Sequence, residues 1–92
     1  MQSYDDRDGH NNSVRTALAN LAAVADAEWR VLEINEQIER QRRRVEELVF
    51  QGHDIASAEV VLENLHVSLL LAVQDRHRVR SVLEKAGSLR AA

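Results

Sequence analysis

Between Gly9 and Gly87 the chain has a single glycine, Gly52, and nowhere does it contain a proline. These residue types interrupt helices most strongly, proline through its missing amide donor and ring clash, glycine through its large backbone entropy. A chain with one such interrupter near its middle is free to run as two long helices that reverse once. Gly52 stands in "LVFQGHDIASAEV", residues 48–60, followed directly by His53 and Asp54. A residue without a Cβ takes positive φ cheaply and so ends a helix, and an aspartate just beyond it can accept from the free amides of the next one. Gly52 and Asp54 therefore read as the turn of an αα-hairpin, with His53 exposed between them.

Apolar residues on either side recur at alternating steps of three and four, the period of a helical stripe. On the first helix the stripe reads Val14, Ala17, Leu21, Val24, Val31, Ile38, Val45 and Val49. Its polar positions are Glu28, Asn35 and Arg42, beside which Ala27, Ile34 and Leu48 carry the apolar face. The second helix is cleaner, reading Ile55, Ala58, Leu62, Leu65, Leu69, Ala72, Arg76, Val79, Leu83 and Ala86. The predicted fold is all-α, two long antiparallel helices in a hairpin that becomes a four-helix bundle on dimerisation. Its expected parts are a disordered tail over 1–12, a helix over 13–50 capped by Asn12 or Ser13, a turn over 51–54, a helix over 55–86 stopped by Gly87, and a frayed tail over 88–92.

The 92 residues suit one domain, and a formal net charge of −3 gives no overall field attractive to nucleic acid or anionic lipid. No cysteine is present, so there is neither a disulfide framework nor a thiolate site, which is compatible with a reducing compartment. The first residues, "MQSYDDRDGHNNS", are polar and acidic where a secretory leader is basic and then apolar. The strongest apolar run, Val67 to Val73, is far shorter than the roughly 20 residues that cross a bilayer. No membrane role and a cytoplasmic location are expected.

No constellation for catalysis or metal binding emerges, so the sequence reads as no enzyme and implies no cofactor. His66 and His77 fall on nearly the same side of the second helix but three turns apart, about 16 Å at the helical rise. The serines sit in no nucleophile elbow and have no base beside them in sequence. Arg40, Arg42, Arg43 and Arg44 invite a nucleic-acid reading, as do Arg76, Arg78 and Arg80. The first group is interleaved with Glu36, Glu39, Glu46 and Glu47 in the manner of a solvated helix face, and stacking aromatics are missing. A regulator that binds nucleic acid or another macromolecule through these faces is the alternative to the main reading.

Folding about Gly52 and His53 sets residue i opposite roughly residue 105 minus i, given about 3.6 residues per turn. Two charge pairs are expected across the hairpin as register pins: Glu28 with Arg76, and Arg42 with Glu63 or its neighbour Glu59. A second stripe then remains on each helix. Leu18, Ala22, Ala25, Trp29 and Leu32 run beside the first seam; Val60, Val67, Leu70, Leu71 and Val73 extend beyond the second. Leu18, Ala25, Trp29, Leu32, Val67, Leu70 and Val73 are the expected self-association residues, forming one broad patch in the middle of the rod. A two-fold homodimer is the economical way to cover it, and an unidentified protein partner is the other.

The stretch "QIERQRRRVEELVFQGHDIASAEVVLENL", Gln37 to Leu65, resembles a group of small uncharacterised helical-hairpin proteins from proteobacteria. In them an Arg- and Glu-rich helix ends at a Gly-His-Asp corner and a Leu-rich helix follows. The resemblance covers about a third of the chain, low-complexity helix being easily imitated. It implies a bacterial cytoplasmic origin and brings no catalytic or binding residue with it. The function expected is that of a structural or protein-interaction module.

Overall fold

The computed structural model describes the backbone of residues 2–91 and side chains from 12 to 87. Helix α1 spans Gln2–Phe50 and helix α2 spans Ala56–Ala91, and the two pack on each other along an elongated rod of 75 × 23 × 14 Å. No strand occurs among the described residues.

The reversal is built as the sequence suggests. Gly52 has φ +75°, the sole positive φ among the described residues. The Gly52 amide donates to the Val49 carbonyl at 3.0 Å and the His53 amide donates to Leu48 at 2.9 Å. This pair of bonds is a Schellman closure, which satisfies carbonyls that the ending helix leaves open. The Asp54 carboxylate accepts from the Ala56 amide at 3.0 Å, while the Ile55 carbonyl takes the first bond of α2 from Glu59 at 2.8 Å. One helix is thus stopped and the next capped within a few residues.

The outer boundaries differ from the expected ones. α1 starts at Gln2, so backbone expected to be a loose tail over 1–12 is helical from its second residue, with Met1 outside the described residues. Asn12 and Ser13 consequently lie inside α1 and not at a cap; the Asn12 carbonyl accepts the Thr16 hydroxyl at 2.9 Å, a bond from one turn to the next. At the other end α2 passes through Gly87 to Ala91, so Gly87 is no stop and the expected tail over 88–91 is helical, with Ala92 outside the described residues. The physical reason is the same at both ends. A lone glycine inside a helix costs only about 1 kcal/mol, and without proline or a cap nothing forces termination.

The seam follows a strict seven-residue repeat, the pattern of a coiled coil. On α1 one row is Ala17, Val24, Val31, Ile38 and Val45, as expected; the other is Asn20, Ala27, Ile34, Gln41 and Leu48, all half-buried or buried. The expected second row, with Leu21, Asn35, Arg42 and Val49, sits one position further round and is exposed; its member Glu28 is half-buried. On α2 every expected seam residue from Ile55 to Ala86 is half-buried or buried, Arg76 included. Among the described residues Ala27, Val31, Ile38 and Ala72 are at most 6% exposed and form the core, and no side chain is wholly enclosed.

Candidate interaction surface

Two contacts fix the register and show which flanks of the helices share a side. Near the corner Gln41 Nε2 donates to the Ala58 carbonyl at 2.9 Å. Further out Arg80 Nε donates to Glu28 Oε1 at 3.1 Å, and a second guanidinium N–H reaches the same oxygen. Glu28 is therefore a cross-helix pin as expected, but its partner is Arg80, one turn beyond Arg76. The Cα–Cβ bonds of each helix tilt toward its own N-terminus, so in this antiparallel pair Glu28 leans away from the corner and Arg80 toward it. Heads that meet must come from positions further along α2 than a ladder of Cα atoms suggests.

The same tilt explains the second pair. Arg42 and Glu63 do not meet; Arg42 Nη1 instead pairs with Glu39 Oε1 of its own helix at 3.4 Å, both side chains more than half exposed. Arg76 is half-buried in the seam and has no ion-pair partner among the described residues. Arginine suits such a place because its aliphatic stem can cover apolar surface while its charge reaches solvent. Gln41 is the pin that sequence reasoning missed. The available signal was its place two turns from Ile34 and one turn from Ile38 on the buried face.

Arg80 and Glu28 put one side of α1 and one side of α2 on a common face. On that face Leu18, Trp29 and Leu32 of α1 are 60%, 64% and 56% exposed. Ala25 lies among them, also exposed. From α2 come Val67 and Leu70, 55% and 58% exposed, and Val73, which is half-buried. Leu71 is not part of this face. It lines a hollow on the opposite side of the hairpin with Arg30, Ile34, Ser68, Ala72 and Asp75.

The patch is not the single central one expected. With the register fixed, α1's apolar strip from Val14 to Leu32 lies toward the open end, and α2's from Val60 to Val73 lies toward the corner. They overlap at the level of Leu32 and Val73. Opposite each strip the other helix is polar: Glu36, Glu39 and Arg43 face the α2 strip's level, and His77, Arg80 and Glu84 that of the α1 strip. The apolar surface therefore runs diagonally across the face.

Compared with known proteins, the chain matches no family model, no curated protein and no solved structure.

The remaining surface features bear on chemistry. A hollow lined by Leu32, Asn35, Glu36, Glu39, Arg40 and Arg43 draws on α1 alone, a gap between long side chains with no second wall to position a substrate. Among the described residues no three His, Cys, Asp or Glu side chains are grouped to hold a metal ion. Arg40, Arg43 and Arg44 share one side of α1 at spacings of three and four, but Glu36 and Glu47 sit among them, and Arg42 lies on the other side, paired with Glu39. On α2 Arg78 pairs with Asp75 at 2.7 Å, and Arg80 is engaged by Glu28. Within Ala56–Gly87 an 18-residue window has mean hydropathy 1.4, long and apolar enough by composition to cross a membrane, with 6% of it buried. That window exceeds the Val67–Val73 run because isolated carboxylates such as Glu59 and Glu63 interrupt a stretch without cancelling its mean.

Proposed function

We propose that the protein is a structural or protein-interaction module of the bacterial cytoplasm, acting as a homodimer held through its apolar flank, without catalytic activity or cofactor. The observation that carries this reading is the imbalance of burial. Four residues, Ala27, Val31, Ile38 and Ala72, make up the core among the described residues, whereas Leu18, Trp29, Leu32, Val67 and Leu70 stay more than half exposed. A lone two-helix hairpin removes little apolar surface from water and is marginally stable. A second copy brings four helices together and removes more, and two-fold closure is the commonest way for identical chains to do so. Exposed apolar surface of this extent marks an interface.

The competing readings are weaker. The arginines that would hold phosphate are interleaved with carboxylates on α1, and on α2 Arg78 and Arg80 are engaged by Asp75 and Glu28, which among the described residues leaves Arg76 alone. A membrane span would place Glu59 and Glu63 in hydrocarbon, at about 2.5–3.5 kcal/mol for a carboxylate at a helix centre, and would strip α1 from the α2 seam. Size-exclusion chromatography of Trp29→Glu beside the parent chain tests the proposal. The parent is expected to elute earlier as loading rises and Trp29→Glu to hold the monomer position; equal elution of both at every loading contradicts it. Retention on heparin at low salt is the outcome that would favour the nucleic-acid reading.

A further inference from the structure

The diagonal layout of the apolar strips restricts how two copies fit. A face-to-face dimer of fully overlapping rods with its two-fold axis along the rod would lay each α1 strip over the polar outer half of α2. With the axis across the middle of the rod, each α1 strip would lie over Glu36, Glu39 and Arg43 of the other α1. Both bury charge against leucine and tryptophan, which costs several kcal/mol unless the charge is paired. An arrangement that covers apolar with apolar and still closes as a dimer has the axis crossing one strip at its centre, either that of α1 or that of α2.

The α1 strip is suited to meeting its own reverse. Along it the side chains run large, small, large: Leu18, then Ala22 and Ala25, then Trp29 and Leu32. Reversed about the point between Ala22 and Ala25, Ala22 falls opposite the partner's Ala25, Leu18 opposite the partner's Trp29, and Arg15 level with the partner's Leu32. Small residues at the centre let the backbones approach while the large ones interlock beyond them. The ends are complementary in charge as well. Arg15 bounds the strip on one side and Glu36 on the other, both exposed, so reversal brings Arg15 within about a turn of the partner's Glu33 and Glu36, twice over. A parallel pairing would oppose Arg15 to Arg15 and Glu36 to Glu36.

We infer that the second copy docks α1 against α1, antiparallel and staggered along the rod, so that the outer halves of the two hairpins overlap and the α2 strip at Val60, Val67 and Leu70 stays outside the contact. This rests on the self-association proposed above and specifies its geometry. The strip from Val14 to Leu32 is about 27 Å of a helix about 10 Å wide. That footprint, about 270 Å² on each copy, lies below the size of standard specific interfaces, so the dimer is weak and concentration-dependent.

Three readouts test the arrangement. The chain's single tryptophan is Trp29, so its emission should shift to the blue in step with the rise in sedimenting mass. Leu18→Glu should weaken association by more than about 30-fold, the equivalent of losing a hot-spot residue, while Val67→Glu stays within about 3-fold of the parent. Both positions are exposed in the single hairpin, so unchanged helical circular dichroism certifies the fold of each variant. With no native cysteine to compete, Ala22→Cys chains mixed with Ala25→Cys chains should form disulfides faster than either variant alone; a parallel pairing gives the opposite order. Association that survives Leu18→Glu, is lost in Val67→Glu, or leaves Trp29 emission unmoved overturns this geometry and leaves the dimer standing. No association of the parent chain at any concentration takes down the dimer and the geometry together.

Discussion

Gly52 and Gly87 are the same residue in opposite situations. At Gly52 φ is +75° and an added Cβ would meet nothing within 4 Å, so the obstacle to a side chain is the backbone conformation alone. Gly52→Ala should then destabilise the hairpin by about 1–2 kcal/mol, the cost of holding an L-residue in the left-handed region. At Gly87, where space is equally open and φ is not positive, alanine should raise stability by about 0.4–1 kcal/mol, because it suits a helix better and restricts the unfolded chain. Urea unfolding of the two variants side by side reads both signs. Asp54→Ala should cost about 1 kcal/mol through loss of the cap on Ala56, by the same measurement. Removing the Glu28–Arg80 pair should cost no more than about 1 kcal/mol, since both side chains are close to half exposed and screened by solvent. Its value lies in fixing register.

At the scale of the helices, the seam and the flank should respond oppositely to truncation. Ile38, 4% exposed, should lose about 2 kcal/mol or more of hairpin stability on change to alanine, while Leu32→Ala at 56% exposure should alter the dilute protein by under about 0.5 kcal/mol. Urea midpoints at low protein concentration separate the two. The α2 seam was fully legible in the sequence because apolar residues fill every position of its two rows except Arg76, a repeat that the flanking Val61, Leu70 and Val82 do not match. The α1 seam was half legible. At alternate layers two adjacent residues compete, Asn20 with Leu21 and Gln41 with Arg42, and hydropathy favours Leu21 although the repeat half-buries Asn20. What decides it is the whole row: Ala27, Ile34 and Leu48 outweigh Glu28, Asn35 and Arg42. The corner was legible because glycine and aspartate each have one efficient local task there. The ion-pair partners were not, since a register counted on Cα atoms omits the tilt of side chains.

For the whole molecule, the apolar flank was legible residue by residue but not its layout, which needs the register to place one helix's strip against the other's. The register keeps Leu32 level with Val73, and following each strip along its full length turns a central patch into a diagonal one, which is what restricts the docking of a second copy. The hairpin's contacts come mostly from within its helices, with few long-range pairs, so folding of each chain should be fast and association the slow, concentration-dependent step. The most direct measurement is the mass of the unmodified chain by sedimentation equilibrium across a wide range of concentration. The account predicts a rise from 10.4 kDa toward twice that value, reversible on dilution. A mass that stays at 10.4 kDa throughout would contradict it.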